Sequence, residues 1–147
     1  MTITRPQRIA PPSRPGALLK RFDQVQPRTR RHEQGDGRDP QYLALVRCCP
    51  CLKCGMEPSE AAHVRFASAA FGKASGLQKK PEDKWALPLC AGCHRLSRDA
   101  QHQGSEQAFW HALGINPLIT AERLYAQAGD LVAMRAIVIT TIAERGR

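Results

Sequence analysis

The chain has 147 residues, 42% of them apolar and only 5% aromatic, and a formal net charge of +9. That length admits one domain with tails, and so few aromatics imply a small core of the kind that needs a metal or disulfide staple. No stretch approaches the roughly 18 apolar residues of a membrane span, and Met1-Thr2-Ile3-Thr4-Arg5-Pro6 starts no apolar run of signal-peptide length, so a soluble, cytoplasmic chain is expected.

Reduced thiols follow from that expectation, which ranks metal binding by the six cysteines above a disulfide framework or redox work. The excess of Lys and Arg suits a phosphate-rich partner, held with release of counterions.

Residues 1–40 read as a flexible, Pro-rich basic tail. They hold six prolines, nine basic residues and four acidic ones, and so more than half of the net charge. With no sustained apolar period, such a segment cannot offset its ordering entropy by burial. It is either a solvated tail or a basic arm lying along nucleic acid.

Folded structure is expected from about Gln41. Tyr42, Leu43, Leu45 and Val46 form an apolar run too short to separate a strand from a helical turn. Cys51 and Cys54 then bracket two residues, with Gly55 behind them. This spacing lets a tight turn aim two thiolates at one ion, and glycine permits the backbone angles of the turn. Cys48-x-x-Cys51 is a second possible register. Gly55 favours Cys51/Cys54 and leaves Cys48 and Cys49 as buried hydrophobes or a spare thiol.

A hairpin or long loop is expected over residues 55–85, with a short strand over 62–66. Two glycines, a proline and three lysines make 71–81 loop-like. Lys73, Lys79 and Lys80 are there either as solvated surface charges or as contacts to a phosphate backbone. Cys90 and Cys93 follow Trp85-Ala86-Leu87-Pro88-Leu89, and the residues from Cys93 to Arg98 can start a helix. The two Cys pairs are separated by 35 residues, against roughly 15–20 in a simple zinc ribbon. Four thiolates around a tetrahedral zinc close its coordination, so Cys51, Cys54, Cys90 and Cys93 point to a structural ion.

Residues 105–147 read as helical cladding. Ser105 caps a helix over 106–113 that Gly114 stops; Thr120 caps 121–128, ended by Gly129; Asp130 caps a last helix from Leu131 to about Arg145. Leu131, Met134, Ile137, Val138 and Ile142 form its apolar face. This segment is charge-neutral, which argues against its being the nucleic-acid surface.

Three histidines, His63, His94 and His102, lie near the cysteine pairs. A neutral imidazole can take a proton from water or bind a divalent metal. His102 is either two turns along a helix from His94 or folded back by the turn around Asp99–Gly104. His32 and His111 carry no assigned role.

These motifs in order, Cys-x-x-Cys-Gly, Ala-His-Val-Arg, Lys-Pro-Glu-Asp, Pro-Leu-Cys-x-x-Cys-His, a further His and Phe-Trp-x-x-x-Gly-Ile, resemble the HNH (His-Me finger) nucleases over about residues 41–120. Within these they are most similar to phage Ref-type, RecA-dependent nucleases and related prophage proteins. The resemblance implies an α+β fold: a zinc-stapled ββα-metal core over 41–104 with C-terminal helices. It implies a metal-dependent endonuclease acting on DNA, with a RecA-type recombinase filament as a further partner.

By this resemblance His63 is the general base, Asp83 either orients it or touches the metal, and Arg65 holds the scissile phosphate. His94 and His102 would bind a catalytic Mg²⁺ or another divalent ion. Two departures stand out: Ala62 occupies the place of an acidic ligand, the nearest acid being Glu60, and the stretch from His94 to His102 is long. His63 itself is then a further candidate ligand. The alternative is a non-catalytic zinc module that binds nucleic acid or a recombination protein.

Overall fold

The computed structural model describes residues 37–74 and 80–145. Most of the expected tail, residues 1–36, and Lys79 lie outside them. The fold is α+β, and the expected core and helical cladding belong to a single compact unit, Gln34–Arg147. Among the described residues no helix is long and apolar enough to cross a membrane.

Order begins earlier than Gln41. Asp39 caps α1 (Pro40–Arg47) by accepting from the Tyr42 amide, and Pro40 opens the helix, where a missing N–H costs nothing. The ambiguous apolar run is therefore helical, with Tyr42 and Val46 on its buried face. Ahead of the cap, the Asp83 amide donates to the Gly37 carbonyl at 2.8 Å. Gly37 has φ 72°, and a Cβ there would meet Glu82 Cγ at 2.5 Å, so only glycine fits this approach.

Strand β1 (Glu60–His63) pairs antiparallel with β2 (Ala86–Leu89), Glu60 opposite Leu89 and His63 opposite Ala86. The hairpin expected inside 55–85 thus closes on residues just beyond it. All four β2 residues are buried, because α1 packs on both strands and α3 (Pro117–Ala126) packs on β2 and on the 3₁₀ turn Asp83–Trp85. A two-stranded pair is marginal alone in water; here the Tyr42 hydroxyl donates to the Ala86 carbonyl at 3.0 Å and ties α1 to β2.

The C-terminal helices follow the capping signals with one shift. Ser105 caps α2 (Glu106–Ala112) and Asp130 caps α4 (Leu131–Glu144) through their side chains. The middle helix, α3, starts at Pro117 rather than Ala121: Asn116 accepts from the Leu118 and Ile119 amides, and the Thr120 hydroxyl, inside the helix, bonds back to the Asn116 carbonyl. An Asn-Pro pair supplies both a cap oxygen and the φ of a first turn, and outcompetes Thr120. Met134 and Val138 of α4 are fully buried, while Leu131, Ile137 and Ile142 pack around them.

Helix α4 also reaches back to the first cysteine turn. Arg145 donates to the Leu52 and Lys53 carbonyls at 2.8 and 2.6 Å, and Arg135 donates to the Cys48 carbonyl and pairs with Glu57.

Met134→Ala is expected to destabilise the fold by about 2–5 kcal/mol, the range for emptying a closed core site. Val132→Ala, on the exposed side of the same helix, is expected to stay within about 0.5 kcal/mol of wild type. Urea denaturation of the two variants measures the contrast.

Candidate metal centre and histidine clusters

The cysteine turn after α1 is built as its spacing suggests. The Gly55 amide donates to the Cys51 carbonyl at 2.7 Å and Gly55 sits at φ 74°, a left-handed angle that reverses the chain and leaves both thiols on one side. Cys90 and Cys93 leave the end of β2, where the Cys93 amide points at Cys90 Sγ, 3.5 Å away. The four sulfurs lie within 4.8 Å of one another, and all six cysteines are free thiols, not disulfides.

Cys54 Sγ and Cys90 Sγ are 3.6 Å apart. A tetrahedral zinc with ~2.3 Å bonds sets its sulfurs roughly 3.8 Å apart, so the cluster fits zinc. Thiolates also suit zinc far better than a hard oxygen-seeking ion. Cys48 is exposed and outside the group. Cys49 is buried, and burial pushes its thiol up to about 11. The Cys51/Cys54 register is thus the one that reaches the cluster.

His63 closes β1. Its Nε2 lies 2.9 Å from Asp83 Oδ1, and Asp83 is almost wholly buried. Burial alone would raise the Asp83 carboxyl. The Asp39 amide at 2.8 Å, the His63 ring and the Arg38 guanidinium together outweigh it and hold the carboxyl below its ordinary value. An ionised carboxylate can only accept, so the hydrogen of this contact belongs to His63 Nε2, and whenever the ring is neutral Nδ1 holds the lone pair.

His94 stands on a π-helical turn, Gly92–Leu96, directly after Cys93. The turn ends at Ser97, and the chain folds back rather than running on as a helix. The Gln101 amide donates to the Cys93 carbonyl at 2.9 Å and the His102 amide to the His94 carbonyl at 3.2 Å. This brings the His94 and His102 rings together edge to face, centroids 4.5 Å apart. Burial lowers the His102 ring below its ordinary value, and nearby Arg65 and His94 act in the same direction against Glu106 and Glu60.

His94 Nδ1 is 2.6 Å from Glu60 Oε2, and Arg95 grips both oxygens of the same carboxylate. The Arg95 guanidinium first, then the His94 ring, hold the Glu60 carboxyl down at about 2.

A buried amide links the two histidine groups. Gln101 Nε2 donates to the His63 carbonyl at 3.2 Å and to Glu106 Oε1 at 2.6 Å, and Glu106 in turn accepts from the Arg65 amide at 3.0 Å. The Arg65 guanidinium is half exposed and 3.9 Å from Glu106.

The lysines do not behave as a set. Lys73 is buried, its ammonium donating to the Phe66 carbonyl at 2.7 Å where an isolated bridge, Ser68 to Lys73, folds the loop on itself. Its stem packs inward and its ammonium meets a backbone carbonyl, where a solvated lysine or a phosphate contact was expected. Lys80 is exposed.

No protein-family model, curated protein or solved structure matches the chain.

Among the described residues, the four thiols are the one group of three or more His, Cys, Asp or Glu ligand atoms close enough to share an ion. His94 and His102 offer two imidazoles, a ligand type that suits Zn²⁺ or Ni²⁺ better than Mg²⁺. Sequence reasoning noted Glu60 without giving it a partner, and did not single out Gln101 or Glu106. Strand alternation was the available signal for Glu60, since residues 60 and 62 share a face.

Purified protein is expected to carry a single zinc per chain by atomic absorption. Cys54→Ser and Cys90→Ser should lose it, and Cys48→Ser should keep it; retention by all three would exclude the cluster. The lowered Asp83 carboxyl sets a second expectation. Its stabilisation is fully present above its unfolded pKa of about 3.9 and is lost as pH falls through its lower folded value. The stability gap between wild type and Asp83→Asn should therefore shrink below about pH 4. Zinc loss in acid is common to both proteins and cancels in this difference, which chemical denaturation at stepped pH reads.

Proposed function

We propose that the chain is a zinc-stapled, divalent-metal-dependent endonuclease that hydrolyses DNA phosphodiester bonds, built on the ββα-metal core of the HNH (His-Me finger) nucleases. The observation that carries this reading is the His63–Asp83 pair: a part-exposed imidazole whose Nε2 is anchored to a buried carboxylate, leaving Nδ1 as a base. Further support comes from the order of elements, an antiparallel pair carrying His63 and then a helical turn carrying His94. The thiol cluster fits a staple because its four sulfurs leave no open position for substrate.

In the reaction, His63 Nδ1 takes a proton from water as the water oxygen attacks phosphorus. The new O–P bond forms as the bond to the leaving sugar oxygen breaks, and that oxygen departs with a proton from solvent. Asp83 keeps the ring in the required tautomer and orientation. Arg65, half exposed, would pair with the phosphate. His94 and His102 would hold the divalent ion, which when bound supplies charge stabilisation at the phosphoryl and leaving oxygens.

The substrate class rests on the net charge of +9 and on the base–phosphate chemistry. A RecA-type filament as partner rests on the sequence resemblance alone.

A second reading, a non-catalytic zinc module that binds nucleic acid, draws on the two-ligand character of the His94/His102 pair. It expects salt-sensitive DNA binding that survives His63→Ala and His94→Ala, without cleavage.

Plasmid nicking in Mg²⁺, Mn²⁺ or Ni²⁺ separates the two. Wild type should cut, and His63→Ala should cut about 10²–10⁴-fold more slowly, the usual worth of a positioned base. Equal cutting by both proteins, or none by wild type on single- or double-stranded DNA in any of these metals, overturns the endonuclease.

A further inference from the structure

Glu60 lies on the same face of β1 as Ala62 and on the opposite face from His63, by strand alternation. Its carboxylate meets the His94 ring at Nδ1, 2.6 Å away. Arg95 holds the same carboxylate from the other side, Nε at 3.2 Å from each oxygen and Nη2 at 2.9 Å from Oε1. The His94 side chain is mostly buried, while the Glu60 carboxylate is about 33% exposed, so the contact lies at the edge of the surface with the ring turned inward.

A carboxylate has lone pairs and no proton to give, so the shared hydrogen belongs to Nδ1. Nε2 of the neutral ring then carries the lone pair a metal needs. An unconstrained imidazole favours the opposite tautomer, with its proton on Nε2. The Glu60 contact therefore selects the less favoured form and fixes the ring plane as well. Arg95 fixes the carboxylate and supplies its counter-charge, which keeps Glu60 on the ring.

We propose that Glu60 is a positioning residue: it holds His94 as the Nδ1–H tautomer and presents Nε2 to a divalent ion shared with His102. Glu60 would act on such an ion only through the imidazole, by its contact at Nδ1. A carboxylate behind a ligating histidine raises the basicity of the ligand and removes its rotational freedom, and its loss typically weakens metal affinity ~10–100-fold. The ion-binding half of the inference rests on the endonuclease reading; the tautomer half does not.

The test uses the full-length, zinc-loaded chain. Nitrogen NMR of the imidazoles, with His94 assigned from a His94→Gln variant, reads the tautomer; Mn²⁺ titration reads affinity; zinc content and thermal melting confirm that each variant is folded. Wild-type His94 should be protonated at Nδ1. Glu60→Ala should move the proton to Nε2 and weaken Mn²⁺ binding about 10–100-fold. Glu60→Gln, whose amide oxygen still accepts from Nδ1, should keep the tautomer and restore part of the affinity.

A wild-type ring protonated at Nε2, or Glu60→Ala with unchanged tautomer and affinity while His94→Gln abolishes Mn²⁺ binding, overturns the proposal and leaves the endonuclease standing. Wild type that binds no Mn²⁺ at all overturns the ion-binding half, while nicking in Mg²⁺, Mn²⁺ or Ni²⁺ decides the endonuclease separately.

Discussion

The convergence of four sulfurs is the constraint on which the rest of this molecule depends. It joins the turn after α1 to the end of β2, segments separated by 35 residues. The chain has few aromatics with which to build a core, and a two-stranded pair cannot hold itself together in water. A metal at the thiols would close the loop carrying β1 and clamp it beside its partner strand. The helices then complete what the sulfurs begin: α1 and α3 cover the strands, and Arg135 and Arg145 of α4 bond the carbonyls of the first cysteine turn.

The same cluster positions the polar chemistry. His94 follows Cys93 directly, and the Cys93 carbonyl accepts the amide of Gln101, so the turn carrying His102 is anchored to a cysteine backbone. Gln101 then spans to the His63 carbonyl and to Glu106. Rigid placement of these rings therefore costs little beyond what the fold already requires, and that placement is what a reactive site needs.

Two histidine–carboxylate pairs use one device in opposite senses. Asp83 meets Nε2 of His63, and Glu60 meets Nδ1 of His94. Each carboxylate is satisfied by a further donor group, the Asp39 amide for Asp83 and the Arg95 guanidinium for Glu60. An unpaired charge at the buried Asp83 would be expensive, whereas Glu60 is only partly covered; with their partners, both can stay ionised and serve only as acceptors. The two carboxylates thus meet opposite nitrogens of their rings, Nε2 of His63 and Nδ1 of His94.

Much of this was legible along the chain because the relevant signals are local. The Cys-x-x-Cys-Gly turn and the Ser105 and Asp130 caps each depend on residues within a turn or two of one another, so their spacing alone was enough to show them. Where two local signals competed, only packing decided: Asn116-Pro117 displaced Thr120 as the start of α3, and the run at Tyr42 became helix once Asp39 capped it and β2 lay beneath it. Lys73 turned inward onto a carbonyl seven residues back, a contact of which composition carries no trace. The pairing of His63 with Asp83, of Glu60 with His94, and the folding of His102 back onto His94 join positions far apart in sequence or depend on where a turn falls. By itself, the sequence determined which residues could ligate, cap and pack. Only the tertiary structure decided which nitrogen of each ring stays free, because that is set by a partner the chain must fold to reach.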